Sequence, residues 1–234
     1  MNPSFEQLTI ALPAEEAMTF DSFYCNEENQ TMVRYLQGFL SQDIDLNIYI
    51  WGLPGLGKTH LLQSLCNAGA AQGKSAVCLS LAEDYAQPDM LQGLEDLELV
   101  CLDDVHIVAK DEAWEHALFH CYNRIRERGH HLALSACQSP SGLGIALPDL
   151  ASRMQWSTVF KIQPLSDEDK VAWINDWSKQ RGMPMPIEVV NYLLTRMGRS
   201  VAELMEVLTV LETETLKKKR RLTLPFARAC LAEF

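Results

Sequence analysis

The stretch from Leu46 to Thr59, LNIYIWGLPGLGKT, constrains this chain more than any other. An apolar run stops at Gly52 and becomes Gly-x-x-x-x-Gly-Lys-Thr, after which His60, Leu61, Leu62 and Leu65 open an amphipathic segment. A loop that wraps a chain of phosphates must present backbone N–H groups and adopt left-handed φ, which Gly52, Gly55 and Gly57 permit. In such a loop the lysine, here Lys58, reaches the β- and γ-phosphates, and the threonine hydroxyl, here Thr59, ligates Mg²⁺. The spacing therefore predicts a strand, a phosphate-binding loop and a helix whose positive N-terminal dipole faces the same anion. Gly52, Gly55, Leu56, Gly57, Lys58, Thr59 and His60 are the candidate nucleotide-binding residues.

A second stretch fits the first. Leu97 to Asp104, LELVCLDD, is an apolar strand ending in two carboxylates. Ligands of nucleotide-binding α/β sheets lie beyond the carboxyl ends of the strands, so both aspartates are expected to face the phosphates. Asp103 reads as the Mg²⁺-side carboxylate and Asp104 as the group that orients or activates a water. Paired aspartates carry little meaning alone and gain it from the loop that precedes them.

Around these motifs the chain alternates strands and helices. A helix is expected from about Glu28 to Leu40, a buried second strand from Ser75 to Leu81 and a short helix near Ala86 to Leu94. A long helix follows over Glu112 to Gly129, then a fourth strand at Leu132 to Ser135 and a short helical turn carrying Arg153. A fifth strand at Val159 to Ile162 closes this part. Beyond Pro164 the pattern is helical only, and Ser166 with the acids after it makes an N-cap and an acidic first turn. The expected organisation is an N-terminal arm over residues 1–16, a nucleotide-binding α/β base over 17–163 and a small all-α domain over 164–234. In the arm, Gln7 to Leu12 reads either as an edge strand or as a linear motif that docks in a partner's groove. His116 and His120 stand four apart with no third metal ligand in view, so the helix itself accounts for them. Lys217 to Arg221 reads either as cations at a helix C-terminus or as a contact for phosphate backbone or an acidic partner.

Composition excludes several classes. With 20 basic against 31 acidic residues the net charge is −11, which opposes tight unaided binding to nucleic acid, and any DNA contact is expected to run mainly through a partner. No apolar run approaches the ~20 residues of a membrane span, and MNPSFEQ lacks the basic and apolar regions of a signal peptide, so a cytoplasmic protein is expected. The seven cysteines form no C-x-x-C pair and read as reduced thiols.

These motifs together resemble an AAA+ module with its lid, over residues 19 to 234: an α/β P-loop domain with a parallel sheet flanked by helices, plus a helical lid. More narrowly, Thr19-Phe20-Asp21-Ser22-Phe23, Leu102-Asp103-Asp104, Leu150-Ala151-Ser152-Arg153 and Leu165-Ser166-Asp167-Glu168-Asp169-Lys170 are similar to the bacterial replication initiator DnaA. The sequence carries no counterpart of the initiator's helix-turn-helix DNA-binding domain and adds a Gln-Leu-x-Ile-x-Leu arm. In this it resembles the Hda family of regulatory inactivators of the initiator. The resemblance implies ADP or ATP as cofactor with Mg²⁺. It implies that Gln7, Leu8, Ile10 and Leu12 dock on the β sliding clamp, with Ala11 standing where proline is common. It further implies that Arg153 is an arginine finger acting on ATP bound to DnaA. Cys137 and Ala202 stand at two phosphate-sensing positions, where neither supplies the usual donor; Arg199 lies one turn before Ala202. Low intrinsic ATPase activity is expected, and self-association as a homodimer or larger assembly through the nucleotide face. The competing readings are a stand-alone AAA+ ATPase or helicase loader, which has no need of a clamp motif, and a small P-loop kinase, for which no acceptor pocket is evident.

Overall fold

The computed structural model describes residues 18–41, 46–196 and 200–232. Its apolar runs form β1 (Asn47–Trp51), β2 (Ala76–Ser80), β3 (Leu99–Asp103), β4 (His131–Ala136) and β5 (Thr158–Lys161), all parallel, in the order β2-β3-β4-β1-β5. Four helices of this part are α1 (Gln30–Gly38), α2 (Lys58–Ala71), α3 (Glu112–Glu127) and α4 (Pro148–Trp156).

Because successive side chains of a strand point to opposite faces, the sheet has two cores. Ile48 and Ile50 of β1 face Val33 and Leu36 of α1 and Leu61 and Leu65 of α2, while Tyr49 joins Leu118, Tyr122, Leu150 and Met154 of α3 and α4. Every residue of β3 and β4 is buried, as expected of central parallel strands covered on both sides.

Three expectations change. The second strand is half-buried along its whole length, because it lies at the sheet's edge and has a neighbour on one side only. No α-helix forms over Ala86 to Leu94; two short 3-10 turns, Pro88–Leu91 and Leu94–Asp96, stand there instead. Pro88 offers no N–H and Gly93 adopts φ +80°, so the chain cannot sustain successive helical bonds through this segment. The helix ahead of β1 is divided into a 3-10 turn at Glu27–Asn29, α1, and a second 3-10 turn at Phe39–Ser41.

The helical part comprises α5 (Asp167–Gln180), α6 (Ile187–Arg196), α7 (Val201–Lys218) and α8 (Leu224–Cys230) among the described residues. Trp173, Trp177, Val190, Leu193, Leu204, Leu208 and Leu211 give it a core of its own. Ser166 and Asp169 close a capping box at the start of α5, a device worth about 1 kcal/mol. The segment before α1 fastens this part to the base: the Asn26 amide donates to Asp169 at 3.3 Å, and Asn29 exchanges two hydrogen bonds of 2.9 Å with the Gln163 backbone. In the basic run that ends α7, Lys217 and Lys218 both pair with Glu214 of their own helix, at 3.7 and 2.8 Å. All seven cysteines are free thiols.

Candidate nucleotide-binding site

The loop between β1 and α2 turns through two glycines with positive φ, Gly55 at +75° and Gly57 at +89°. A side chain at either would also be blocked by neighbours: a Cβ on Gly55 would lie 2.1 Å from the Ser200 hydroxyl, and one on Gly57 would lie 2.8 Å from the Phe23 ring. The loop is thus clasped on one side by the N-terminus of α7 and on the other by the segment that enters the domain. A Cβ on Gly52 would meet Leu56 and Ile162 at 3.3 Å, tight but not blocked.

Lys58 is only 6% exposed and donates to the carbonyls of Gly52 at 3.2 Å and Leu53 at 3.3 Å. Two neutral carbonyls take two of its three protons, and no ion pair among the described residues balances its charge, so the site favours an anion. The next residue, Thr59, donates its hydroxyl to Asp103 at 2.5 Å. Asp103 is itself buried at 2% exposure and accepts from the Ser135 hydroxyl and the Asp104 N–H. Ser135 reaches it because Leu102 pairs with Leu134 across the β3–β4 ladder, which sets the following residues side by side. The adjacent carboxylate differs: Asp104 adopts φ +57°, and burial, followed by the charge of Asp103, pushes its pKa above the ordinary carboxylate range against His106 and Lys58. The site therefore presents one carboxylate, Asp103, held by three hydrogen bonds, beside another, Asp104, whose pKa burial raises, the division expected of a metal ligand beside an acid–base group.

His60 has its ring engaged elsewhere. Its Nε2 lies 2.9 Å from the Thr19 carbonyl and 3.2 Å from the Ser22 hydroxyl, and the ring packs on Phe23 at 5.5 Å. What His60 can offer an anion is its backbone N–H, one of the unpaired donors in the first turn of α2.

Arg153 sits on α4, its guanidinium over the rings of Phe119 at 5.6 Å and Tyr122 at 5.7 Å. In strand order it is close to the loop, since β5, which follows α4, pairs directly with β1. Separation from the loop comes from the sheet itself: α4 packs in the core with α3, and α2 packs in the core on the opposite face. Gln7, Leu8, Ile10 and Leu12 lie outside the described residues, as does Arg199.

Residues 14–161 match the model of the bacterial DnaA ATPase domain, more than half of the chain, and residues 167–231 match that of the Hda lid domain. The chain belongs to the bacterial DnaA ATPase-domain family. Its fold is similar to domain III of the Thermotoga maritima replication initiation protein DnaA, at TM-score 0.79 and 20% identity over 95% of this chain and 99% of that one. It is also similar to AMPPCP-bound DnaA from Aquifex aeolicus, at TM-score 0.71 and 24% identity over 86% and 68%. A RuvB variant from Thermotoga maritima shares the fold at TM-score 0.68 and 15% identity over 92% and 72%. The five-stranded parallel sheet, its flanking helices and the helical lid are an AAA+ architecture, and the protein is a Hda-like homologue of DnaA.

Among the described residues, the lid brings Ser200 and Ala202 to the loop, the latter 3.6 Å from the position of a Cβ on Gly55. Neither carries charge. No local signal in the sequence marks Ser135 or Ser200, although Ser135 is the one hydroxyl within the apolar run LALSA.

Glu115 carries no local signal either. It is buried at 2% exposure on α3 and accepts from the backbone N–H groups of Lys110 at 2.9 Å, Ala146 at 3.0 Å and Leu147 at 2.7 Å. It thereby fixes the entry to α4 and so the base on which Arg153 stands. Burial alone would raise its pKa; the three backbone donors reverse this and hold it below the usual carboxylate range. Glu115→Ala strands those donors, and at about 1–3 kcal/mol each the loss should reach about 3 kcal/mol or more by urea denaturation. The folded-state pKa is depressed, so this contribution is complete above the unfolded pKa and disappears as pH falls through the folded one. The stability difference between wild type and Glu115→Ala should therefore shrink on acidification.

Proposed function

We propose that this protein is a nucleotide-dependent negative regulator of replication initiation. It binds ADP or ATP with Mg²⁺, docks on the DNA-loaded β sliding clamp through its N-terminal arm, and stimulates hydrolysis of the ATP held by DnaA. The observation that carries this reading is the joining of a DnaA-type ATPase domain to a Hda-type lid in one chain.

The nucleotide assignment is supported by the glycine cradle, the buried cation of Lys58 and the AMPPCP bound by the similar DnaA of Aquifex aeolicus. Thr59 and Asp103 would hold Mg²⁺: their oxygens already meet, and a hard cation bound by one carboxylate and one hydroxyl would complete its shell with water and phosphate. That ion would neutralise phosphate charge. The protein's own groups have separate roles in this reading: the loop N–H groups and Lys58 bind the phosphates, and Asp104 orients a water or accepts its proton.

Intrinsic turnover is expected to be slow, because Ala202, which the lid brings to the loop, carries no donor, and Cys137 is a poor hydrogen-bond donor. Purified protein hydrolysing ATP alone at several per second, with the activity lost in Asp104→Ala, would instead favour a stand-alone ATPase or helicase loader. DNA would be met mainly through the clamp. Self-association would use the nucleotide face. Among the described residues no helix is long and apolar enough to cross a membrane, and a regulator of this kind would act in the cytoplasm.

The direct test is ATP hydrolysis by DnaA with and without this protein, clamp and DNA, alongside a variant lacking residues 1–12. Leu8, Ile10 and Leu12 are the apolar anchors of the arm and Gln7 its hydrogen-bonding register mark. Deletion should abolish clamp pull-down and clamp-dependent stimulation while ADP binding is kept. Undiminished pull-down would overturn the arm assignment.

A further inference from the structure

Beyond the paired aspartates, the ends of β3 and β4 bring a third set of groups together. One oxygen of Asp104, one ring nitrogen of His106 and the sulfur of Cys137 all lie within 4.8 Å of one another. The two strands are neighbours in the sheet, and the Val105 N–H donates to the Ser135 carbonyl at 2.9 Å, which continues the pairing just past β3. The backbones carrying the three side chains are thus held side by side.

Within this set the His106 Nδ1 lies 3.8 Å from Asp104 Oδ1, too long for a hydrogen bond, and it is buried without a hydrogen-bond partner among the described residues. A buried, unsatisfied ring nitrogen is uncommon enough to need a reason. Metal ligation supplies one. Ligand atoms on a tetrahedral ion with metal–nitrogen and metal–sulfur bonds of about 2.0 and 2.3 Å stand roughly 3.3–3.5 Å apart, so no pair of the trio would need to close by more than about 1.5 Å. A thiolate, an imidazole and a carboxylate select a borderline-soft ion, whereas Mg²⁺ and Ca²⁺ prefer oxygen alone.

We propose that Asp104, His106 and Cys137 form a site for one zinc-class divalent ion, with a fourth position open to water, distinct from the Mg²⁺ position at Thr59 and Asp103. Occupation draws Asp104 away from the phosphates and so couples the ion to the nucleotide site. That coupling rests on the role given to Asp104 above; the binding itself does not.

The test uses reduced, metal-free full-length protein titrated with Co²⁺. One equivalent should bind with a thiolate-to-cobalt charge-transfer band and the strong visible bands of a tetrahedral site. Zn²⁺ should displace it, and excess Mg²⁺ should not. Cys137→Ser should remove the charge-transfer band, and His106→Gln should weaken Co²⁺ binding at least about tenfold, the least that disturbing even an outer partner of a metal site costs. Circular dichroism melts establish that both variants fold, and should Cys137→Ser not fold, the His106→Gln titration decides. Lys58→Ala should bind Co²⁺ as wild type does, which separates failure of this site from failure of the nucleotide reading. Absence of the charge-transfer band in the wild type, its persistence in Cys137→Ser, or unweakened binding by His106→Gln overturns the proposal.

Discussion

Arg153→Ala is expected to bind clamp and ADP as wild type does, yet to lose about 10³- to 10⁵-fold of its stimulation of DnaA-bound ATP hydrolysis, down to whatever background the assay allows. The physical reason is that an arginine finger places charge where the transferring phosphoryl group develops it, in a site from which water is excluded. That range corresponds to about 4–7 kcal/mol of transition-state stabilisation. Against it stands what the side chain does at home. Its half-buried guanidinium lies over Phe119 and Tyr122, and two such cation–π contacts are worth roughly 1–2 kcal/mol together. The variant should therefore melt only a few degrees below wild type and remain folded at assay temperature. Arg153→Lys tests the geometry: it keeps the charge and loses the planar fork, so it should recover only part of the stimulation. The assay is hydrolysis by ATP-bound DnaA in the presence of clamp-loaded DNA. Stimulation by Arg153→Ala within about twofold of wild type, well under 1 kcal/mol, would end the finger assignment.

What could be seen in the sequence was what depends on near neighbours. Gly52 to Thr59 is legible because a phosphate loop needs particular residue types at consecutive positions, and the strand before it and helix after it are written in the same short stretch. Asp103 and Asp104 are legible because they end an apolar run. Ser135 is not, since its meaning comes from the register that pairs Leu102 with Leu134, a relation between segments about thirty residues apart. Glu115 is hidden for the same reason: on its helix it looks like one acid among several, and only the fold brings Ala146 and Leu147 to it. The segment from Ala86 to Leu94 misleads in the other direction, its apolar residues suggesting a helix that Pro88 and Gly93 divide into two turns. The exposure of the second strand depends on strand order, which no local pattern encodes. His60 mixes both cases: its place in the motif is local, while its ring is committed to Thr19 and Ser22 some forty residues earlier.

Lys58→Ala should weaken ADP and ATP binding by about 10²- to 10³-fold, or roughly 3–4 kcal/mol, measured by titration calorimetry. A unit charge about 4 Å from a phosphate oxygen, at the effective dielectric of a partly buried site, is worth about 4 kcal/mol. Some of this is offset, because the lysine exchanges its bonds to the Gly52 and Leu53 carbonyls for bonds to phosphate instead of leaving water. The structure also indicates why the variant should fold. The charge is buried at 6% exposure with two carbonyl acceptors and no ion pair among the described residues, so truncation leaves no carboxylate stranded. The loop turns on Gly55 and Gly57, which the substitution does not touch. Thr59→Ala provides the contrast: it removes the hydroxyl that meets Asp103 and should weaken the Mg²⁺-dependent part of the affinity while sparing binding measured in a chelator. Lys58→Ala should weaken both. If Lys58→Ala bound ADP and ATP within about threefold of wild type, a difference of less than 1 kcal/mol, the nucleotide would be held somewhere other than this loop.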